Sequence, residues 1–155
     1  MKLSDLLTQD AVLPSLHAQS KKQVLQEVCS VAAARTGLAE REVFDTILQR
    51  ERLGSTGVGH GVAIPHGKLR TLTGLAGVFA RLTRPVEFES LDEQPVDLVF
   101  LLLAPESAGA DHLKALARIA RVLRDQNVAE KLRMAPDAAS LYAILTAPAE
   151  ASHAA

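Results

Sequence analysis

The chain has 155 residues, 48% hydrophobic and 23% charged, a balance that fits one globular domain with a real core and excludes a disordered polymer. Seventeen Lys and Arg stand against eighteen Asp and Glu, a net charge of −1, so no strong field would draw nucleic acid or anionic lipid. No apolar run is long enough to span a bilayer, acids interrupt the N-terminus where a signal peptide would be apolar, and the single Cys29 cannot form an internal disulfide. The expectation is a cytoplasmic protein with no direct membrane insertion.

In chain order, residues 3–7 suit a short helical turn. Residues 11–16 alternate as a strand, and Pro14, which lacks a ladder donor, assigns it to a sheet edge. Ser20 with Gln23 reads as a capping box opening a helix to about Arg35. Val24, Leu25, Val28, Val31 and Ala32 form its apolar stripe, Cys29 lies on that side as a small buried hydrophobe, and Gly37 is the stop. A second helix over 40–52 would turn Val43, Phe44, Ile47 and Leu48 inward and expose Glu42, Asp45, Gln49 and Arg50. Strands are expected over 62–64, 74–82 and 96–103, with a short alternating piece at 86–88. The spacing between Leu82 and Val86 looks like a hairpin. The 96–103 run is the most apolar and fits a strand buried on both faces. An amphipathic helix over 111–125 would place Leu113, Leu116, Ile119, Ala120 and Leu123 inward, and two shorter helices follow at 127–134 and 137–145. This order predicts a single α/β domain over 1–147, a mixed parallel and antiparallel sheet flanked by helices on both faces, with 148–155 as a disordered tail.

The segment 53–68, LGSTGVGHGVAIPHGK, holds five of the nine glycines. Its strand 62–64 meets Pro65-His66-Gly67, which predicts that His66 sits where a strand ends, facing out of the sheet end. Three phosphate or metal motifs can be tested against it. A P-loop would need lysine where His60 stands, and a dinucleotide fingerprint would need strand, glycines and helix in the opposite order. A metal site from His60, His66 and His112 lacks a cysteine or carboxylate to complete the set by spacing. The remaining reading is nucleophilic. A neutral imidazole has a lone pair that can accept a phosphoryl group, and an ordinary pKa near ~6.5 leaves it mostly neutral. Backbone N–H groups of a glycine-rich turn can cradle phosphate oxygens, Arg52 offers a guanidinium fork, and Ser55 and Thr56 offer hydroxyls. His112, at the start of a helix behind Asp111, sits where anions are favoured and a cationic imidazole is not. His60 reads as a loop residue; His17 and His153 are assigned nothing.

GSTGVGHGVAIPHGK, together with DHLKALARIAR from Asp111, resembles the phosphohistidine segment of bacterial phosphotransferase-system enzyme IIA proteins of the mannitol/fructose class, and most of all the nitrogen-type branch. The resemblance runs from Leu3 to about Leu145. It implies a phosphoprotein that accepts a phosphoryl group from a phosphorylated HPr-type carrier. His66 would be the acceptor and His112 its partner, with Arg52 and Thr56 near the site, Ser55, Gly57 and Gly67 cradling phosphate, and no metal or cofactor. Sugar-pathway members pass the group to an enzyme IIB, whereas nitrogen-type members resemble end-points read by regulatory targets. A chain with no IIB-like or membrane module favours the regulatory branch. A non-catalytic docking module, with His66 only a contact, is the alternative from another class. The docking rim would use Val58 and Val62 for its apolar part and Lys68, Arg70 and Arg50 for its charges.

Overall fold

The computed structural model describes residues 1–148. The sheet is built on β6 (Val96–Pro105), whose side chains are buried on both faces along almost its whole length. A strand with no wet face needs a layer on each side. Helices α1 (Lys21–Thr36) and α2 (Glu40–Arg52) supply one layer, packed on each other and on the sheet. Helices α3 (Ala110–Arg124), α4 (Gln126–Met134) and α5 (Ala138–Leu145) supply the other.

The strand order is β1-β5-β6-β3-β2, with β4 also pairing β6. Here β1 is Val12–Leu16, β2 Gly57–Gly59, β3 Val62–Ala63, β4 His66–Leu69 and β5 Ala76–Val86. β1 runs parallel to β5, β5 antiparallel to β6, β3 and β4 parallel to β6, and β2 antiparallel to β3. The mixed sheet with helices on both faces is thus the architecture that the element order predicts. Pro14 does lie on an edge strand, where its missing N–H costs no ladder bond.

Local chemistry accounts for the helix ends. Ser20 accepts from the Gln23 N–H at 3.1 Å, and Gly37 closes α1 with φ +78°. The capping box is only half as expected, because the Gln23 carboxamide accepts from the N–H of Gln19, one residue before the cap. Asp125 and Asp137 cap α4 and α5.

Four other expectations need correction. The strand through Leu82 does not end there: β5 continues to Val86 across an irregularity in its register with β6. The connection lies at 87–95, so no hairpin separates Leu82 from Val86. Leu113 points outward and is 66% exposed, while His112 takes the inward position with Ala115, Ile119 and Leu123. Ile119 and Leu123 lie inward as expected; the difference is in the first turns of the helix, where His112 faces His66. Val62 is fully buried in the core and cannot contribute to a docking surface. Lastly, Pro65 interrupts the strand without ending it. Its carbonyl accepts from the Leu102 N–H at 2.9 Å, and the chain resumes as β4 alongside the same neighbour, β6, with His66 opposite Leu102. The expected tail falls almost wholly outside the described residues.

Candidate functional site

The site forms where the resumed strand passes between the two helix layers. Successive side chains of a strand point to opposite faces. A Cβ on Gly67 would meet Thr46 Cγ2 at 3.0 Å and Ile47 Cδ1 at 3.2 Å, so this residue faces α2 and its missing side chain lets that helix close on the sheet. His66 faces the other way, toward α3, where His112 waits in the first turn. Their ring centroids are 5.7 Å apart with planes inclined by 52°.

The His66 ring is fixed by its own chain: Nδ1 lies 2.8 Å from the Ile64 carbonyl oxygen. A carbonyl can only accept, so Nδ1 carries the proton and the neutral ring has its lone pair on Nε2. Burial lowers the pKa of His66 and the Arg50 guanidinium adds to this; the Ile64 hydrogen bond and the Glu51 carboxylate oppose them. His112 is lowered too, first by burial and then by the charges of His66 and Lys68. Both imidazoles are therefore neutral at neutral pH. The Nδ1 of His112 is buried and has no hydrogen-bond partner among the described residues.

The arginine whose charge bears on His66 is Arg50, and Arg52 has no such effect. One turn of helix separates residues three or four apart, and a shift of two carries a side chain to the far side. Arg52 is exposed and lines a separate cavity of about 620 Å³ with Lys21, Lys22, Glu51 and Glu89. Arg50 donates to the Gly54 carbonyl at 2.9 Å, which holds it at the C-terminal end of α2.

The glycine segment is not laid out as an open phosphate cradle. The hydroxyl of Ser55 donates to the Phe88 carbonyl and accepts from the Gly57 N–H. Thr56 is buried, and both its N–H and its hydroxyl donate to the Glu51 carboxylate, at 2.8 and 2.7 Å. A Cβ on Gly57 would fall 2.1 Å from Ser90 Oγ, so this glycine permits close packing against the 87–95 connection. Gly59, His60 and Gly61 all have positive φ, at 97°, 56° and 80°, a tight left-handed turn. Asp92 accepts from the His60 N–H and Arg133 donates to the His60 carbonyl, both at 2.9 Å. His60 is thus a turn residue held by its backbone. Among the described residues, no three His, Cys, Asp or Glu side chains gather to hold a metal ion.

Of the expected rim, Val58 is 40% exposed on the edge strand β2. Lys68 and Arg70 are exposed, with Arg70 3.8 Å from Glu106. Two features escape the sequence pattern. Leu113 adds an exposed apolar surface directly beside His112. Glu51 is a buried carboxylate; its proximity to two arginines in sequence gave no sign of it, since surface helices carry such triplets routinely.

A family model described as phosphoenolpyruvate-dependent sugar phosphotransferase system, EIIA 2, matches residues 5–147. A nitrogen regulatory protein of Bradyrhizobium diazoefficiens is 62% identical over 148 residues, covering 96% of this chain and 97% of that one. A nitrogen regulatory protein of Klebsiella oxytoca is 44% identical over 147 residues, covering 94% and 91%. The crystal structure of nitrogen regulatory protein IIA-Ntr from Neisseria meningitidis superposes with a TM-score of 0.89 at 35% identity, covering 93% of this chain and 99% of that one.

Proposed function

Because the chain belongs to the EIIA 2 family of the phosphoenolpyruvate-dependent phosphotransferase system, we propose that it is a nitrogen-type regulatory phosphoprotein that accepts a phosphoryl group on His66 Nε2 from a phosphorylated HPr-type carrier. The observation that carries this reading is the hydrogen bond from His66 Nδ1 to the Ile64 carbonyl, because it directs the lone pair to Nε2. In the transfer, that lone pair forms a new N–P bond as the N–P bond to the carrier's histidine breaks. The electron pair of the broken bond returns to the carrier's imidazole. His66 keeps its Nδ1 proton, so no general base is required. The positive charge that its ring acquires is stabilised by the carbonyl already bonded to it.

Phosphoryl transfer depends chiefly on positioning and on neutralising charge. The Arg50 charge bears on His66 and the Lys68 charge on His112, so both cations can help neutralise a phosphoryl group. His112 faces His66 at 5.7 Å between ring centroids, and a ring N–H of His112 can donate to a phosphoryl oxygen held there. The nitrogen-type assignment is supported by the identity to relatives of that name over nearly full length on both sides. The place of work is the cytoplasm, with regulatory target proteins as readers of the phosphorylation state.

The test is intact mass after incubation with phosphoenolpyruvate and the upstream carriers, followed by ³¹P and ¹⁵N NMR of the product. One added phosphoryl group on Nε2 of His66, lost in mild acid and stable in base, is expected. A phosphoserine on Ser55 or a phosphoryl group on Nδ1 would overturn the proposal. Onward transfer to an enzyme IIB in the same assay would place the chain in a sugar pathway instead.

A further inference from the structure

Glu51 is 6% exposed, and the chemistry above makes no direct use of it. A lone carboxylate at that depth is costly unless it is paired and hydrogen-bonded. Here it is both. One oxygen accepts from the Thr56 N–H and lies 3.0 Å from the Lys21 ammonium, and the other accepts from the Thr56 hydroxyl. Lys21 stands at the start of α1, reaches the Phe88 carbonyl at 3.4 Å and lies over the Phe88 ring at 5.3 Å. This single carboxylate therefore ties the end of α2, the start of α1, the 87–95 connection and the first turn of the glycine segment.

One of those ties leads on to His66. Thr56, held at both donors by Glu51, accepts from the Ile64 N–H through its own carbonyl at 3.0 Å. The Ile64 carbonyl in turn receives the His66 Nδ1 proton. Glu51 also follows Arg50 directly on α2. We infer that Glu51 is a positioning residue for phosphoryl transfer at His66, acting through Thr56 on the strand that orients the imidazole, with Lys21 neutralising its charge. The inference rests on the reading of His66 as acceptor.

Pairing with Lys21 is what allows a carboxylate this close to the site. An unpaired negative charge would repel the incoming phosphoryl group. The charged and titratable groups bearing on the histidine pair are Arg50 and Glu51 from α2, His112 from α3 and Lys68 from β4. Removing the Glu51 charge leaves cations dominant around His66.

Three variants of the full chain test this: Thr56→Val, Thr56→Ser and Glu51→Gln. Each is assayed by rapid quench with the phosphorylated carrier and by NMR titration of His66 without it. Thr56→Val exchanges a hydroxyl for a methyl and is expected to lower the maximal transfer rate about tenfold, the scale of a small misplacement. The carrier concentration at half-maximal rate should stay within about twofold. Thr56→Ser keeps both donors and should recover most of the rate. Glu51→Gln keeps the shape, loses the charge and should move the His66 titration to lower pH. If Glu51→Gln does not fold, Thr56→Val decides alone. A Thr56→Val protein with the parental maximal rate, or a folded Glu51→Gln protein with an unmoved His66 titration, overturns the inference. A parent that takes up no phosphoryl group overturns the functional reading and this inference together; an active parent beside equally active variants overturns the inference alone.

Discussion

The rings of His66 and His112 lie 5.7 Å apart, and burial lowers the pKa of both. Two cationic rings at that distance would repel, and each would lose the hydration that stabilises its charge. The transfer rate should therefore be flat through neutral pH and fall on the acid side only below the ordinary imidazole value of about 6.5. Stability follows the same sign. Both folded pKa values lie below their unfolded ones, so the unfolded state binds more protons on acidification. The stabilisation is present above the unfolded value and is lost as pH falls through the folded values. NMR titration of both rings, beside urea midpoints from neutral pH downward, checks this. A midpoint that rises on acidification through that window would contradict it.

Removing either ring should separate bonding from orientation. His66→Ala is expected to abolish phosphorylation and leave the fold intact, since His66 is half-buried and, among the described residues, its ring hydrogen-bonds only to the Ile64 carbonyl two residues earlier. His112→Ala should leave His66 phosphorylatable but slow transfer on the order of 10²-fold, the scale of one preorganised donor. Single-turnover kinetics checks both. An unchanged rate for His112→Ala would remove that residue from the site.

The surface that receives the carrier should be apolar near the histidines and basic around them. Val58 and Leu113 are its exposed apolar candidates, with Lys68 and Arg70 on the rim. Val58→Glu and Leu113→Glu should each raise the apparent KM for the phosphorylated carrier several-fold, with the maximal rate retained and the melting temperature unaltered. A loss of thermal stability in Val58→Glu would instead mean that the side chain packs under the loop. Carrier affinity equal to the parent's in both variants would place docking elsewhere.

Gly57 and Ser90 make a separable packing test. Ser90 Oγ is buried without a hydrogen-bond partner among the described residues, and a Cβ on Gly57 would fall 2.1 Å from it. Gly57→Ala should cost about 1–3 kcal/mol by overpacking. Ser90→Ala alone should be neutral or stabilising by up to about 1 kcal/mol, because it removes an unsatisfied buried polar group. The double variant should be more stable than the sum of the two changes predicts. Additive urea midpoints would show that the contact relaxes freely.

Much of the fold was legible because its signals are local. The cap at Ser20, the stop at Gly37, the edge position signalled by Pro14 and the apolar run of β6 all depend on residues adjacent in sequence. The pairing of His66 with His112, now seen as two rings 5.7 Å apart, was legible from motif and resemblance. What the sequence could not decide is which side chain an element turns toward a neighbour brought in from far along the chain. Arg50 and Arg52 are chemically equal and two residues apart; only the packing of α2 on β4 brings the Arg50 charge to bear on His66 while Arg52 lines another cavity. Leu113, expected inward, is exposed, and His112 takes the buried position of that turn opposite His66, because a buried helix face is set by what the opposing sheet presents. Pro65 ends a strand by local rules, yet β6 offers unpaired groups beyond it, and the chain resumes its ladder as β4. Glu51 reads as a solvated helix charge until Lys21, thirty residues earlier, closes over it. Local hydrogen bonding and periodicity determine the elements; long-range packing determines which residues they bring face to face.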